Sequence, residues 1–160
     1  TMTNKYVEKI KDLPVKILDT RKTTPGLRFF EKEAIRLGGG INHRFGLYDM
    51  ILIKDNHIDF AGGIEKAINN VKNYIEKNNL NLKIIIEARN IDDVREIIRV
   101  GNVNRILLDN FSIEDTRKAV ELINGKFEVE SSGGITLENI RDYALCGELY
   151  FRWCLNSSNI

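Results

Sequence analysis

Cationic side chains cluster around the first two of five short apolar runs in this sequence. Arg21 and Lys22 follow the first run, and Lys54 lies at the end of the second. His43 and Arg44 stand between these two runs. Guanidinium and ammonium groups bind phosphate, pyrophosphate and carboxylate groups, and arginine adds a bidentate geometry. If the fold brings these residues together, they predict an anion-binding site.

Carboxylates and glycines follow the later runs. Glu87 ends the third run and Asp109 the fourth, and such acids bind sugar hydroxyls or a Mg²⁺ ion that accompanies pyrophosphate. The fifth run ends in Ser132-Gly133-Gly134, just before Thr136, which we predict to begin a helix. Backbone N–H groups of such a loop suit a phosphate. Cations, acids and this loop together favour phosphorylated-sugar chemistry.

The elements that must position these residues alternate along the chain. The apolar runs predict β-strands at 15–20, 50–55, 82–88, 105–110 and 127–132. Helical spacing and end signals predict helices at 64–77, 91–101, 112–125 and 136–147, the last two capped by Ser112 and Thr136. Alternating strands and helices predict a parallel α/β sheet, whose strands have their carboxyl ends on one face. The pattern leaves a closed barrel and an open doubly wound sheet as alternatives, although no GxGxxG follows a strand.

Three consecutive glycines, Gly38 to Gly40, precede the His43-Arg44 pair. Glycine costs conformational entropy on folding, so a run of three needs a reason. We interpret the run as a loop that approaches a ligand closely or moves, and not as a packing requirement. An ordinary flexible connection is the alternative.

The composition indicates one globular domain. The chain has 160 residues, 42% of them hydrophobic, and a formal net charge of +1, so no bulk field attracts nucleic acid or an anionic membrane. No apolar run approaches the length of a membrane span. Cys146 and Cys154 are too few for a disulfide framework, which predicts reduced thiols and a cytoplasmic location.

Five motifs together resemble one enzyme family. They are ILDTRKTTPGLR (17–28), GGGINHRFGLYDMILIKDNHI (38–58), EARN (87–90), ILLDNF (106–111) and ESSGGI (130–135). In this order and spacing, from about the first residue to Gly147, the chain resembles quinolinate phosphoribosyltransferases. The resemblance implies that residues 1–147 form a catalytic but incomplete, TIM-like parallel β/α barrel.

The resemblance also implies a reaction between quinolinate and phosphoribosyl pyrophosphate (PRPP). Phosphoribosyl transfer with decarboxylation gives nicotinate mononucleotide, pyrophosphate and CO₂ for NAD synthesis. The implied substrate-binding residues are Thr20, Arg21, Lys22, His43, Arg44, Lys54, Glu87, Asp109, Ser132, Gly133 and Gly134. Of these, Lys54, Glu87 and Asp109 are the implied catalytic residues, and Glu87 and Asp109 would contact Mg²⁺. Positioning and electrostatics would carry most of the catalysis.

Residues beside the motifs receive supporting roles. We expect His57 to cap a helix or to support a neighbouring site residue, and Arg89 and Asn110 to orient Glu87 and Asp109. Three aromatic side chains and one cysteine are expected to pack: Tyr48, Phe60, Phe111 and Cys146.

Two departures from the family bear on completeness. The family has an N-terminal domain before the barrel, which helps to complete the neighbouring subunit's site in a homodimer or higher oligomer, and we expect this chain to lack it. Residues 148–160 diverge from the family pattern, which has Ile-Ser-Val-Gly at this place. If the codons for Ile-Ser-Val-Gly are read one base later, they encode Phe-Arg-Trp, the tripeptide Phe151-Arg152-Trp153 of this chain. We therefore hypothesise a frameshift near codon 148, with a return to the original frame near Ser157, which puts the sixth strand, barrel closure and part of the phosphate site in doubt. A poorly soluble or partner-dependent chain would follow.

Two alternatives to the enzyme remain at this point. One is a catalytically incompetent fragment that acts only as an anion-binding or interaction module. The other is the related family member associated with molybdenum-gene clusters, although complete TTPG and NHR motifs favour the quinolinate enzyme.

Overall fold

A single parallel sheet organises the chain in the computed structural model, which describes residues 1–152. The six strands of this part of the chain lie in the order β1-β6-β5-β4-β3-β2, and every neighbouring pair is parallel. They are β1 Lys16–Leu18, β2 Ile51–Ile53, β3 Ile84–Ala88, β4 Arg105–Asp109, β5 Glu128–Ser132 and β6 Tyr150–Arg152. The α/β class and the parallel sheet predicted from the sequence are confirmed.

Helices connect most of the strands, and they are α1 Met2–Ile10, α2 Arg28–Leu37, α3 Asp55–Ala61, α4 Ile64–Lys77, α5 Ile91–Val100, α6 Ile113–Ile123 and α7 Ile140–Ala144. The predicted helices α4, α5 and α6 are confirmed. Ser112 caps α6 as predicted, because its side chain accepts a hydrogen bond from the Asp115 N–H. No helix within residues 1–152 has the length and apolar character needed to cross a membrane.

The prediction for the last helix is wrong at its start and its end. α7 begins at Ile140 and not after Thr136, and its C-cap is Leu145. The Asn139 side chain accepts a hydrogen bond from the Thr136 N–H at 2.8 Å and donates one to the Gly134 carbonyl at 2.9 Å. These bonds hold the preceding segment in turns, so the helix begins only after Asn139.

Both faces of the sheet are covered, which explains the nearly continuous apolar strands. On the outer face, Ile86 and Leu108 join the large apolar cluster that includes Ile68 and Ile97 of the helices. Each such buried side chain contributes roughly 1.5–3 kcal/mol relative to exposure. The alternate positions of the strands point to the inner face, where Leu52, Ile85 and Leu107 form a separate small cluster.

The sixth strand is present despite the divergent sequence. β6 pairs with both β1 and β5, and Phe151 is fully buried in the outer-face core. The doubt about this strand is thereby removed. The apolar side chains of Leu149 and Phe151 fill the core positions that a strand at this place needs. The remaining tail, 153–160, including the proposed return to frame near Ser157, lies outside the described residues.

The interpretation of the triple glycine as a mobile or ligand-contacting loop is wrong. A Cβ on Gly38 would lie 2.7 Å from Thr3 Cβ, and one on Gly40 would lie 2.7 Å from Ile35 Cγ2. These glycines therefore let the chain pack closely on α1 and α2. None of them lines the cavity described below.

Candidate active site

A cavity of about 680 Å³ opens at the carboxyl ends of the strands. All of the site residues predicted from the sequence line it: Thr20, Arg21, Lys22, His43, Arg44, Lys54, Glu87, Asp109, Ser132, Gly133 and Gly134. The structure adds Leu52, Leu107, Asn110, Ile135 and Arg152 to the lining. Residues up to 132 positions apart in sequence thus share one cavity because parallel strands end on one face.

The order of the strands in the sheet determines where the positively and negatively charged side chains lie around this cavity. Arg21 follows β1, and Arg152 lies at the end of the adjacent β6. The glycine loop follows β5, and the carboxylates Asp109 and Glu87 come from β4 and β3. Lys54 follows β2 at the far end of the sheet. Cations therefore flank a pair of acids, with backbone N–H groups between the acids and β6.

The Asp109 carboxylate affects the ionisation of the Glu87 carboxyl. Burial raises the pKa of Glu87, and the negative charge of Asp109 raises it further, whereas Lys54 lowers it. Asp109 accepts a hydrogen bond from the Asn110 side chain at 3.0 Å, which is the contact that an orienting role of Asn110 requires. Within residues 1–152, no group of three or more His, Cys, Asp and Glu side chains is arranged to hold a metal. Two carboxylates suit Mg²⁺ that takes its remaining ligands from substrate phosphates and water.

A buried ion pair fixes the loop that carries His43 and Arg44. Lys32 of α2 lies 2.6 Å from the Asp19 carboxylate, and both side chains are almost completely buried. Asp19 accepts a hydrogen bond from the His43 N–H at 2.8 Å, while Lys32 donates to the His43 carbonyl at 3.4 Å. Both backbone groups of His43 are therefore held by one charge pair. Sequence reasoning missed Lys32, although its spacing of three residues from the apolar Ile35 places both on one face of the helix.

Beneath the cavity, the Glu130 carboxylate contacts two arginine side chains and one histidine side chain. Its carboxylate lies 3.0 Å from Arg105 Nη1, 3.3 Å from His43 Nε2 and 2.5 Å from Arg152 Nε. Burial opposes its ionisation, but His43, Arg152 and Arg105 outweigh burial and lower the pKa of Glu130 to about 2. Sequence reasoning missed Arg105, yet its position two residues before Leu107 predicts the same inner face.

The loop after β5 requires glycine at its centre. Gly133 has φ +93°, and a Cβ there would lie 2.0 Å from Asn110 Oδ1. The Asn110 N–H donates to the Ser132 carbonyl at 2.8 Å, so Asn110 and the loop are joined. Backbone conformation and steric contact both disfavour a side chain at this position.

Of the supporting roles expected for His57 and Arg89, the structure agrees with the first and not with the second. His57 caps α3 as expected, since its Nδ1 accepts a hydrogen bond from the Lys54 N–H at 3.2 Å. Arg89 does not orient Glu87, because its guanidinium pairs with Asp93 and Asp59 instead.

The expectation of buried aromatic packing was correct for one residue of three. Phe111 is buried in the core, as is Cys146. Phe60 is 97% exposed and Tyr48 is 71% exposed, so packing within this chain is the wrong interpretation for both. The segment around Tyr48 contributes to an exposed apolar surface.

The parallel sheet and its cation-lined cavity define an α/β barrel-type domain. The sequence model described as quinolinate phosphoribosyl transferase, C-terminal domain, matches residues 1–155. The chain belongs to the quinolinate phosphoribosyltransferase family. The match to the C-terminal domain agrees with the motifs from which the family resemblance was drawn.

Curated relatives and solved structures agree with this assignment. Quinolinate phosphoribosyltransferase [decarboxylating] 2, mitochondrial, of Nicotiana glauca is 44% identical, over 86% of this chain and 43% of the relative. A probable nicotinate-nucleotide pyrophosphorylase [carboxylating] of Synechocystis is 44% identical, over 92% and 50%. The nicotinate-nucleotide pyrophosphorylase structure from Ehrlichia chaffeensis has a TM-score of 0.87 and 43% identity, over 95% and 54%. The chain thus spans about half the length of these relatives.

Proposed function

We propose that this chain carries the site for phosphoribosyl transfer from PRPP to quinolinate, with decarboxylation. The ring nitrogen of quinolinate attacks the anomeric carbon of the ribose, and the bond from that carbon to pyrophosphate breaks. The carboxyl group beside the nitrogen then leaves as CO₂, and the ring carbon that carried it takes up a proton from water to give nicotinate mononucleotide. The observation that carries the proposal is that all of the implied substrate-binding residues line one cavity.

Each side of the cavity suits one part of the two substrates. Arg21, His43 and Arg44 would bind anionic groups, including the carboxylates of quinolinate. The loop Ser132-Gly133-Gly134 would hold the 5′-phosphate through backbone N–H groups. Glu87 and Asp109 would bind ribose hydroxyls and the Mg²⁺ of Mg²⁺-PRPP, whose charge stabilises departing pyrophosphate.

Lys54 follows the strand at the opposite end of the sheet from β1, and its positive charge would act on charged groups of the substrates. Its ammonium group lies close enough to Glu87 to lower the pKa of that carboxyl. In the same cavity it would stabilise negative charge that develops on a substrate. Since no side chain needs to form a covalent bond, catalysis would depend on orientation and on this fixed field.

Substrate titration tests the proposal. Quinolinate and Mg²⁺-PRPP should each bind the chain saturably in calorimetry. Arg44→Ala and Lys54→Ala should weaken binding of at least one of them about ten- to hundredfold, because each removes a charge-assisted contact. Arg36→Ala is the matched control, since Arg36 lies on the exposed side of α2 and pairs with Glu33. A folded chain that binds neither substrate would refute the proposal.

We also propose that the chain works as a homodimer or higher oligomer, as the family resemblance implies. Exposed apolar side chains on and after α2 support this: Phe29, Phe30, Leu37, Leu47 and Tyr48. The cytoplasmic location stays a prediction, and the names of some plant relatives refer to mitochondria or chloroplasts.

A further inference from the structure

Arg152 brings a cation to the cavity from the strand that diverges from the family pattern. It stands opposite Leu18 of β1 in the parallel register and lines the cavity. Its side chain is only 14% exposed, and its Nε lies 2.5 Å from the Glu130 carboxylate. The residue is therefore fixed at the base of the cavity between β1 and β5.

Glu130 does not use up the hydrogen-bonding capacity of Arg152. The same carboxylate already pairs with Arg105 and with His43. Within residues 1–152, the buried Nε and Nη2 of Arg152 make no hydrogen bond, although Nε lies in ion-pair distance of Glu130, and the buried Nε of Arg21 makes none either. Buried donors that lack a partner carry a free-energy penalty, so both arginines keep unused hydrogen-bonding capacity beside the cavity that they line.

The positive charges near Arg152 also indicate a position that suits an anion. Burial lowers the pKa of Arg44, and the nearby positive charges of Arg21 and Arg152 lower it further. Three guanidinium groups thus repel one another on one side of the cavity. An oxyanion bound among them would convert this repulsion into charge-assisted hydrogen bonds.

We propose that Arg152 is a direct ligand-binding residue, which contacts an oxyanion of a substrate beside Arg21 and Arg44. The group is a carboxylate of quinolinate or a phosphate of PRPP, since both present paired oxygens to a guanidinium. This inference rests on the proposed function but names a residue outside the motifs on which that function was based.

Calorimetric titration of Arg152→Ser tests the inference with two separate ligands. Quinolinate and Mg²⁺-PRPP are each titrated into the unmodified chain, Arg152→Ser, Arg152→Lys and Arg95→Ser. Arg95 is the matched control because it lies on α5, is largely exposed and pairs with Asp92. Arg152→Ser should weaken one ligand about ten- to hundredfold, and the ligand affected identifies the carboxylate or the phosphate.

Each result decides the matter. An unchanged affinity of Arg152→Ser for both ligands, or a tighter one, overturns the inference. If Arg152→Ser does not unfold cooperatively on heating, Arg152→Lys is the deciding variant. Lysine keeps the positive charge beside Glu130 but cannot make the bidentate hydrogen bonds of a guanidinium group. A measurable loss of affinity then supports the inference, and wild-type affinity overturns it.

Failure of the proposed function gives a different pattern. If the unmodified chain binds neither ligand, both the function and the role of Arg152 are refuted. If Arg44→Ala loses affinity while Arg152→Ser and Arg95→Ser retain it, the proposed function stands and only the role of Arg152 fails.

Discussion

At the scale of single residues, Glu130 combines complete burial with ionisation. Its contacts to Arg105, His43 and Arg152 compensate for the lost hydration of the carboxylate. The same residues link the β4, β5 and β6 strands to the loop that carries His43. A change at Glu130 should therefore affect stability and the cavity together.

Glu130→Gln should lower the free energy of unfolding by about 3–5 kcal/mol at pH 7, because it leaves buried cations without a counter-charge. Since folding lowers the pKa of Glu130 to about 2, its ionised form stabilises the fold above the ordinary glutamate pKa. That contribution is lost as the pH falls towards 2, so the two proteins should converge there. Urea unfolding at several pH values measures this, with the exposed Glu121→Gln as control. Equal stability at pH 7 would contradict the prediction.

Substitution of Glu87 should change the stability in the opposite direction to substitution of Glu130. Folding raises its pKa through burial and the Asp109 charge, so its ionised form destabilises the fold at neutral pH. Glu87→Gln should raise the free energy of unfolding by about 0.5–2 kcal/mol at pH 7 while weakening Mg²⁺-PRPP binding. The stabilisation should fade below about pH 4, where the carboxyl is protonated in both states. Denaturation and titration of the same samples test this, and a destabilised variant that binds normally would refute it.

At the scale of elements, the Asp19–Lys32 pair connects α2 to the loop that follows it. Lys32→Met should destabilise the chain by about 3–5 kcal/mol, because Asp19 would remain buried without its cation. The His43 amide should then exchange its hydrogen faster, since the backbone clamp is weakened. Asp19→Asn combined with Lys32→Met should recover part of the stability.

Hydrogen exchange and denaturation of these variants separate a local clamp from a general defect. Lys66→Met, at an exposed position of α4, is the matched control and should leave both measurements unchanged. A His43 amide that exchanges at the original rate in Lys32→Met would contradict the clamp.

The elements that sequence predicted well are those specified by local patterns. The apolar spacing of α4 and the Ser112 cap of α6 act within a few residues, and both agree with the structure. α7 differs because the Asn139 side chain holds the segment before it in turns. The triple glycine was misinterpreted because its reason lies in α1, far from it in sequence, where Thr3 approaches Gly38.

In the cavity, the motif residues were predictable from the sequence, whereas the residues that hold them in place were not. The strand ends and the parallel arrangement were enough to predict which motif residues gather in one place. Lys32 and Arg105 were not predicted, because a buried ion pair depends on side-chain packing between elements. The divergent sequence puts the sixth strand in doubt, whereas β6 forms and Glu130 neutralises part of the charge of Arg152.

At the scale of the whole molecule, the exposed apolar side chains of α2 and the following loop predict self-association. Phe29 is 66% exposed, Phe30 is 68% exposed, and their rings are in edge-to-face contact. Such residues are typical of interaction surfaces. Light scattering should find a concentration-dependent dimer or larger species, and Phe29→Ser with Phe30→Ser should reduce it. Tyr74→Ser on α4 serves as an exposed aromatic control, and a monodisperse monomer at all concentrations would contradict the prediction.

Product formation tests the central claim most directly. Quinolinate labelled with ¹³C in the carboxyl group beside the ring nitrogen is incubated with Mg²⁺-PRPP and the folded chain. A parallel sample also contains the part of the Synechocystis relative that lies outside the matched region. We predict labelled CO₂ and unlabelled nicotinate mononucleotide in equal amounts in at least one sample, and their loss with Lys54→Ala. Absence of both products from both samples, despite a folded chain, would contradict the account.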